Sequence, residues 1–120
     1  MRMMRNTSLG HIDFNAFNGL NPYNSKCRAS DLDMVFEWKN HFLIIEWKRP
    51  GEYLPTGQEM MLKAFSTLPQ VTVFLVNGHT DEETEVQNIY FIDKTHHLVG
   101  NGLHHLKSLI TQWHEHCGRK

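Results

Sequence analysis

The segment from residue 31 to residue 48 constrains this chain most, because its apolar and charged residues alternate through two strands joined by a two-residue turn. Residues 32–38 and 42–48 are rich in aromatic and β-branched side chains, and Lys39-Asn40 between them is a natural tight turn. A turn there sets Asp31 opposite Lys48, Asp33 opposite Glu46, Val35 opposite Ile44 and Glu37 opposite Phe42. Side chains alternate across a strand, so those eight residues share one face. Leu32, Met34, Phe36, Trp38, Leu43, Ile45 and Trp47 share the other, which is wholly apolar and is predicted to be core. A slip of one residue would carry carboxylates into that core, so the pattern itself holds the register.

The remaining chain reads as the frame around this hairpin. Before residue 31, one helical stripe of Leu9, Ile12, Phe14, Phe17 and Leu20 suggests a short helix or an irregular arm. Arg49-Pro50-Gly51 ends the second strand, since proline cannot donate to a ladder and glycine bends freely. Thr56-Gly57-Gln58-Glu59 reads as a capping box opening a helix over 57–68, which Pro69 ends. Residues 71–76 form a wholly apolar strand covered on both faces, 77–87 an acidic loop, and 88–93 a last strand. Leu103, Leu106, Ile110, Trp113 and Cys117 then mark an amphipathic C-terminal helix. The expectation is one α/β domain over residues 1–120, a central mixed sheet flanked by helices.

Length and charge narrow the function. A chain of 120 residues with 40% hydrophobic content sustains its own core without disulfide or structural metal. No apolar run approaches the ~20 residues of a membrane span, and no apolar segment follows the two arginines of the N-terminus. A cytoplasmic protein is expected, with Cys27 and Cys117 as thiols. The net charge of −1 argues against a broadly basic coat for binding nucleic acid, though not against a local basic site.

The charged end of the hairpin carries the chemistry. Directly opposed Cβ atoms lie only ~5 Å apart, so Asp33 and Glu46 repel unless a cation joins them. A hard divalent ion with oxygen ligands resolves that conflict. Lys48, two residues beyond Glu46 on the same face, is near enough to hold a water or an anionic oxygen beside such an ion. The combination suits attack of water on a phosphodiester.

Asp33, followed by Glu46-Trp47-Lys48 inside an apolar strand, resembles the D…(D/E)xK signature of the PD-(D/E)xK nuclease superfamily. Gln58 at the start of the next helix is similar to the further glutamine of its VRR-NUC and small phage-type branches. The resemblance implies a restriction-endonuclease-like core. It also implies Mg²⁺ or Mn²⁺ held by Asp33, Glu46 and the main-chain carbonyl of Trp47, with Lys48 activating water and Gln58 orienting water or phosphate. DNA is the implied substrate, branched or junction DNA included, and the host cytoplasm the implied location for a phage-encoded chain. The motif proline is missing, and Ser30-Asp31-Leu32-Asp33 offers two acids. Asp33 is favoured as the motif acid because it faces Glu46; the alternatives are Asp31 as the motif acid with Asp33 auxiliary, or Asp31 as an ion-pair partner of Lys48.

Lys26, Arg28, Lys39 and Arg49 are the candidates for touching a phosphate backbone. Trp38 and Trp47 fall on the core face and are read as packing residues, and the clustered histidines His96-His97, His104-His105, His114 and His116 as solvated tips or weak phosphate contacts. A chain this small has little surface to hold a duplex, which is consistent with a symmetric homodimer. The competing expectation is a nuclease-derived module that binds nucleic acid or protein without cutting. An RNA-directed enzyme ranks lower, for want of an aromatic platform.

Overall fold

The computed structural model describes residues 15–17 and 30–118. The chain groups into two units, Met1–Asp31 and Leu32–Lys120. In the first, Asn15–Phe17 form a single 3-10 turn within the stretch read as a short helix or arm. Leu9, Ile12, Phe14 and Leu20 of that stripe, and Lys26, Cys27 and Arg28, lie outside the described residues. The second unit is an α/β domain with five strands and two helices: β1 (Met34–Trp38), β2 (His41–Lys48), α1 (Thr56–Ser66), β3 (Val71–His79), β4 (Glu85–Ile92), β5 (His96–Gly100) and α2 (Leu103–Gly118).

The strands lie in chain order, β1-β2-β3-β4-β5. β2 and β3 are parallel and every other neighbouring pair is antiparallel. Lys39 and Asn40 both adopt positive φ, 49° and 68°, the requirement of a two-residue hairpin turn whose twist matches its strands. The pairing is the one the alternation predicts, with Val35 opposite Ile44 and Glu37 opposite Phe42. Parallel pairing of β2 with β3 requires a crossover, and α1 supplies it.

The period of two in β2 and β3 then divides the core. Leu43, Ile45, Phe74, Val76 and Ile89 pack under Leu106, Trp113 and Cys117 of α2. Ile44, Val73, Leu75 and Ile92 pack under Leu62 of α1. β3 is apolar on both faces because a helix covers each, as its unbroken Val-Phe-Leu-Val run implies.

Four expectations are corrected. The apolar face of the hairpin is core only in part: Leu32, Phe36 and Trp38 are 37%, 37% and 41% exposed. β1 is the end of the sheet, and α2 meets it through Met34, packed against the cluster that includes Leu106, Trp113 and Cys117, and through ring contacts of Trp113 with Phe36 and of His114 with Trp38. No capping box forms at Thr56. Pro55 takes the cap position at φ −60°, ψ 145°, and its carbonyl accepts the Glu59 N–H at 2.9 Å, so Thr56 lies inside the helix. The Glu59 carboxylate turns instead to Lys63 and His96. The acidic loop shrinks to residues 80–84, because β3 and β4 pair as far as His79 and Glu85. That close approach needs Gly78, where any Cβ would run into the Glu85 carbonyl. Lastly, β4 is followed by β5, a short edge strand with Leu98 63% exposed, too weakly apolar to announce itself. Asp93 makes the turn into it by accepting the Thr95 N–H at 2.9 Å.

Leu62 is fully buried and is the side chain by which α1 closes its face of the sheet. Leu62→Ala is expected to cost about 2–5 kcal/mol of unfolding free energy, read from urea titration of the far-UV circular dichroism signal.

Candidate active site

The residues that matter meet where β2 ends and α1 begins. By alternation β2 carries Phe42 and Ile44 on its α1 face, and the next residue on that face is Glu46. Glu46 is 2% exposed, the one charged side chain in the buried set among the described residues. A carboxylate in such a place is costly unless hydrogen-bond donors and cations surround it. Two neighbours meet that need. Gln58, in the first turn of α1, donates from Nε2 to Glu46 Oε2 at 2.5 Å. The Lys48 ammonium lies 3.9 Å from the same oxygen and is itself only 17% exposed. The helix start adds to both, since its unpaired N–H groups favour negative charge.

Asp33 reaches the same region from the other strand. The β1–β2 ladder begins at Met34 opposite Ile45, one rung short of Asp33. In place of that rung, the Asp33 carboxylate accepts the Trp47 N–H at 2.9 Å. In an antiparallel ladder a residue turns its N–H and C=O toward the same neighbour, so the Trp47 carbonyl faces this edge as well. The strand thus presents Glu46 and Lys48 on its face while offering Trp47 main-chain groups along its edge to Asp33. Asp31 is exposed and precedes the ladder, and Lys48 has Glu46 as its ion-pair partner. Among the described residues, no three acidic, histidine or cysteine side chains form a metal-binding group.

The basic candidates separate. Arg49 follows Lys48 directly and is fixed by a tight turn: its N–H donates to Glu52 Oε1 at 2.9 Å, and its carbonyl accepts the Glu52 N–H at 2.9 Å. Pro50 and Gly51, the latter at φ +81°, occupy the two central positions. The Arg49 side chain is not free, because its guanidinium donates to Asp81 from the loop after β3. That contact raises the Arg49 pKa and holds the Asp81 carboxyl below the ordinary carboxylate value. Lys39 is not at the site. It sits in the hairpin turn with its ammonium 6.0 Å from the Trp38 ring centre, at the opposite end of β2 and roughly 20 Å away by strand length.

The end of β3 adds residues that sequence reasoning missed. Asn77 pairs with Lys48 across the parallel ladder, and His79, beyond a register shift at Asn77/Gly78, closes the β3–β4 ladder opposite Glu85. The His79 Nε2 lies 3.3 Å from the Glu85 carboxylate. A single histidine after an apolar run carried no signal of this in the sequence. One cleft runs along α1 by Met60, Lys63, Asp93 and Lys94, and a second lies between Phe74, Phe91, Trp113 and His116.

Two measurements test this geometry. Asp33→Ala removes the acceptor of the Trp47 N–H and is expected to cost about 1 kcal/mol, whereas Asp33→Asn, which keeps an amide oxygen there, costs less. Equal destabilisation in urea would contradict the contact. A carboxyl with a lowered folded-state pKa contributes stability above its unfolded pKa and loses it as pH falls through the folded value. Asp81 is therefore expected to titrate below the usual carboxylate range by NMR, and to return toward it in Arg49→Gln. Comparison of the chain with protein-family models, with curated proteins and with solved structures gives no match.

Proposed function

We propose that this chain is a metal-dependent deoxyribonuclease with a restriction-endonuclease-like core, hydrolysing phosphodiester bonds at the Asp33, Glu46, Lys48 and Gln58 site. The observation that carries the reading is the burial of Glu46 against Gln58 and Lys48 at the carboxyl end of β2. A purely structural strand would place an aliphatic residue there, and a solvated one would leave both charges in water.

The donors gathered here are hard oxygens, those of Asp33, Glu46 and the Trp47 carbonyl, and this set suits Mg²⁺ or Mn²⁺ rather than a thiophilic metal. Those three would hold the ion, with water or phosphate oxygens completing its shell. When bound, such an ion polarises the phosphate and lowers the pKa of a water ligand. The protein's own groups do the rest. Lys48, desolvated and aimed along the Glu46 face, offsets the charge that grows on the phosphate oxygens and steadies the attacking water. Gln58 keeps the Glu46 oxygen oriented and, at the start of α1, offers an amide and a helix N-terminus to the phosphate. Arg49, on its rigid turn beside Lys48, is the nearest described residue able to anchor the adjoining backbone.

Glu46→Ala and Lys48→Ala are each expected to lower cleavage of linear, circular, branched and single-stranded DNA in Mg²⁺ or Mn²⁺ by about 100-fold or more, with the folded circular dichroism spectrum retained. Undiminished cleavage by either variant refutes the site. Tight DNA binding without cleavage in either metal, together with no heat of Mn²⁺ binding by calorimetry, would assign the chain as a non-cutting binding module instead.

A further inference from the structure

We propose that Asp81 is an intramolecular substitute for a nucleic-acid phosphate: its carboxylate occupies the Arg49 guanidinium, and an incoming backbone phosphate displaces it. The identity of the incoming ligand rests on the nuclease reading above. The masking itself rests on the fold.

Arg49 follows Lys48 at the end of β2, Lys48 pairs with Asn77 near the end of β3, and Asp81 lies in the loop after β3, so the ion pair forms at the same end of the sheet as the site. Both its main-chain groups are committed to the turn with Glu52, which fixes the base of the side chain and limits where it reaches. A guanidinium takes carboxylate and phosphate oxygens with the same donor geometry, so one substitutes directly for the other. The competitor is delivered by a short closed loop. His79 and Glu85 form the last rung of β3 with β4, and their side chains pair at 3.3 Å across its base. Glu82, at φ +51°, turns the chain tightly after Asp81. Asp81 is thus carried on a short loop, residues 80–84, closed at its base by the His79–Glu85 rung.

Exchange is easy because both partners are exposed, Arg49 by 59% and Asp81 by 61%. Exposed ion pairs are weak, so a phosphate that also meets Lys48 outcompetes the carboxylate, whereas a lone anion gains little. The loop therefore screens Arg49 from casual anions and yields it to a polyanion engaged at the site.

The test uses fluorescence anisotropy of a short fluorescein-labelled DNA duplex in EDTA and low salt, conditions without metal-dependent cleavage. Asp81→Asn is expected to tighten Kd about two- to five-fold. The same substitution in an Arg49→Gln background is expected to change nothing, because the guanidinium it would unmask is gone. An unchanged Kd in Asp81→Asn overturns the proposal. Equal tightening with and without Arg49 overturns it too, since that is a bulk charge effect. Failure of every variant to bind the duplex also overturns it. If the duplex binds with the expected Arg49-dependent gain but wild-type protein cleaves no DNA in Mn²⁺, the nuclease reading falls and the masking stands.

Discussion

Burial of the Glu46 carboxylate at the end of the aliphatic run Leu43-Ile44-Ile45 is the constraint on which the arrangement of this site turns. A buried carboxylate is tolerated only with donors and cations close by, and here they come from different distances along the chain: Lys48 from the same strand, Gln58 from the crossover helix. The helix is held there by Leu62 against Ile44, Val73 and Leu75, so the apolar layer under α1 and the polar contact at its start are parts of one packing solution. Moving the helix would break both together.

The parallel pairing of β2 with β3 has a second consequence. Parallel strands bring their carboxyl ends to one end of the sheet, and the chain leaves both there. Lys48 and Arg49 therefore come beside the loop that follows His79, although thirty residues of helix and strand separate them in sequence. The clash of basic turn and acidic loop in the sequence becomes an ion pair in the structure. Charge counting over the whole chain, which gives −1, misses this local neutralisation.

The hairpin was legible because its signal is local and redundant. Alternation, the Lys39-Asn40 turn and the exclusion of carboxylates from the apolar face all specify one register, and the ladder has it. The C-terminal helix and the doubly covered β3 were legible for the same reason, since period and apolar content are properties of neighbouring residues. Other features depend on what a segment packs against. Pro55 displaced the expected Thr56 cap, β5 formed from a segment with little apolar content, and Phe36 and Trp38 stayed partly exposed because β1 ends the sheet. Of the candidate site, Glu46, Lys48 and Gln58 are brought together and Asp33 joins through the Trp47 amide. Lys39 is not, because a turn and a strand end are opposite ends of the same rod.

The sequence by itself determined the hairpin register, the face each of its residues occupies, and hence that Glu46 and Lys48 share one side of a core strand. Side-chain alternation is a property of the backbone and needs no partner. Only the tertiary structure decided that Gln58 reaches Glu46, that Asp33 caps the end of the ladder, and that Asp81 takes Arg49. Those contacts join segments whose meeting depends on the crossover helix and the strand order, and no local pattern encodes the distance between them.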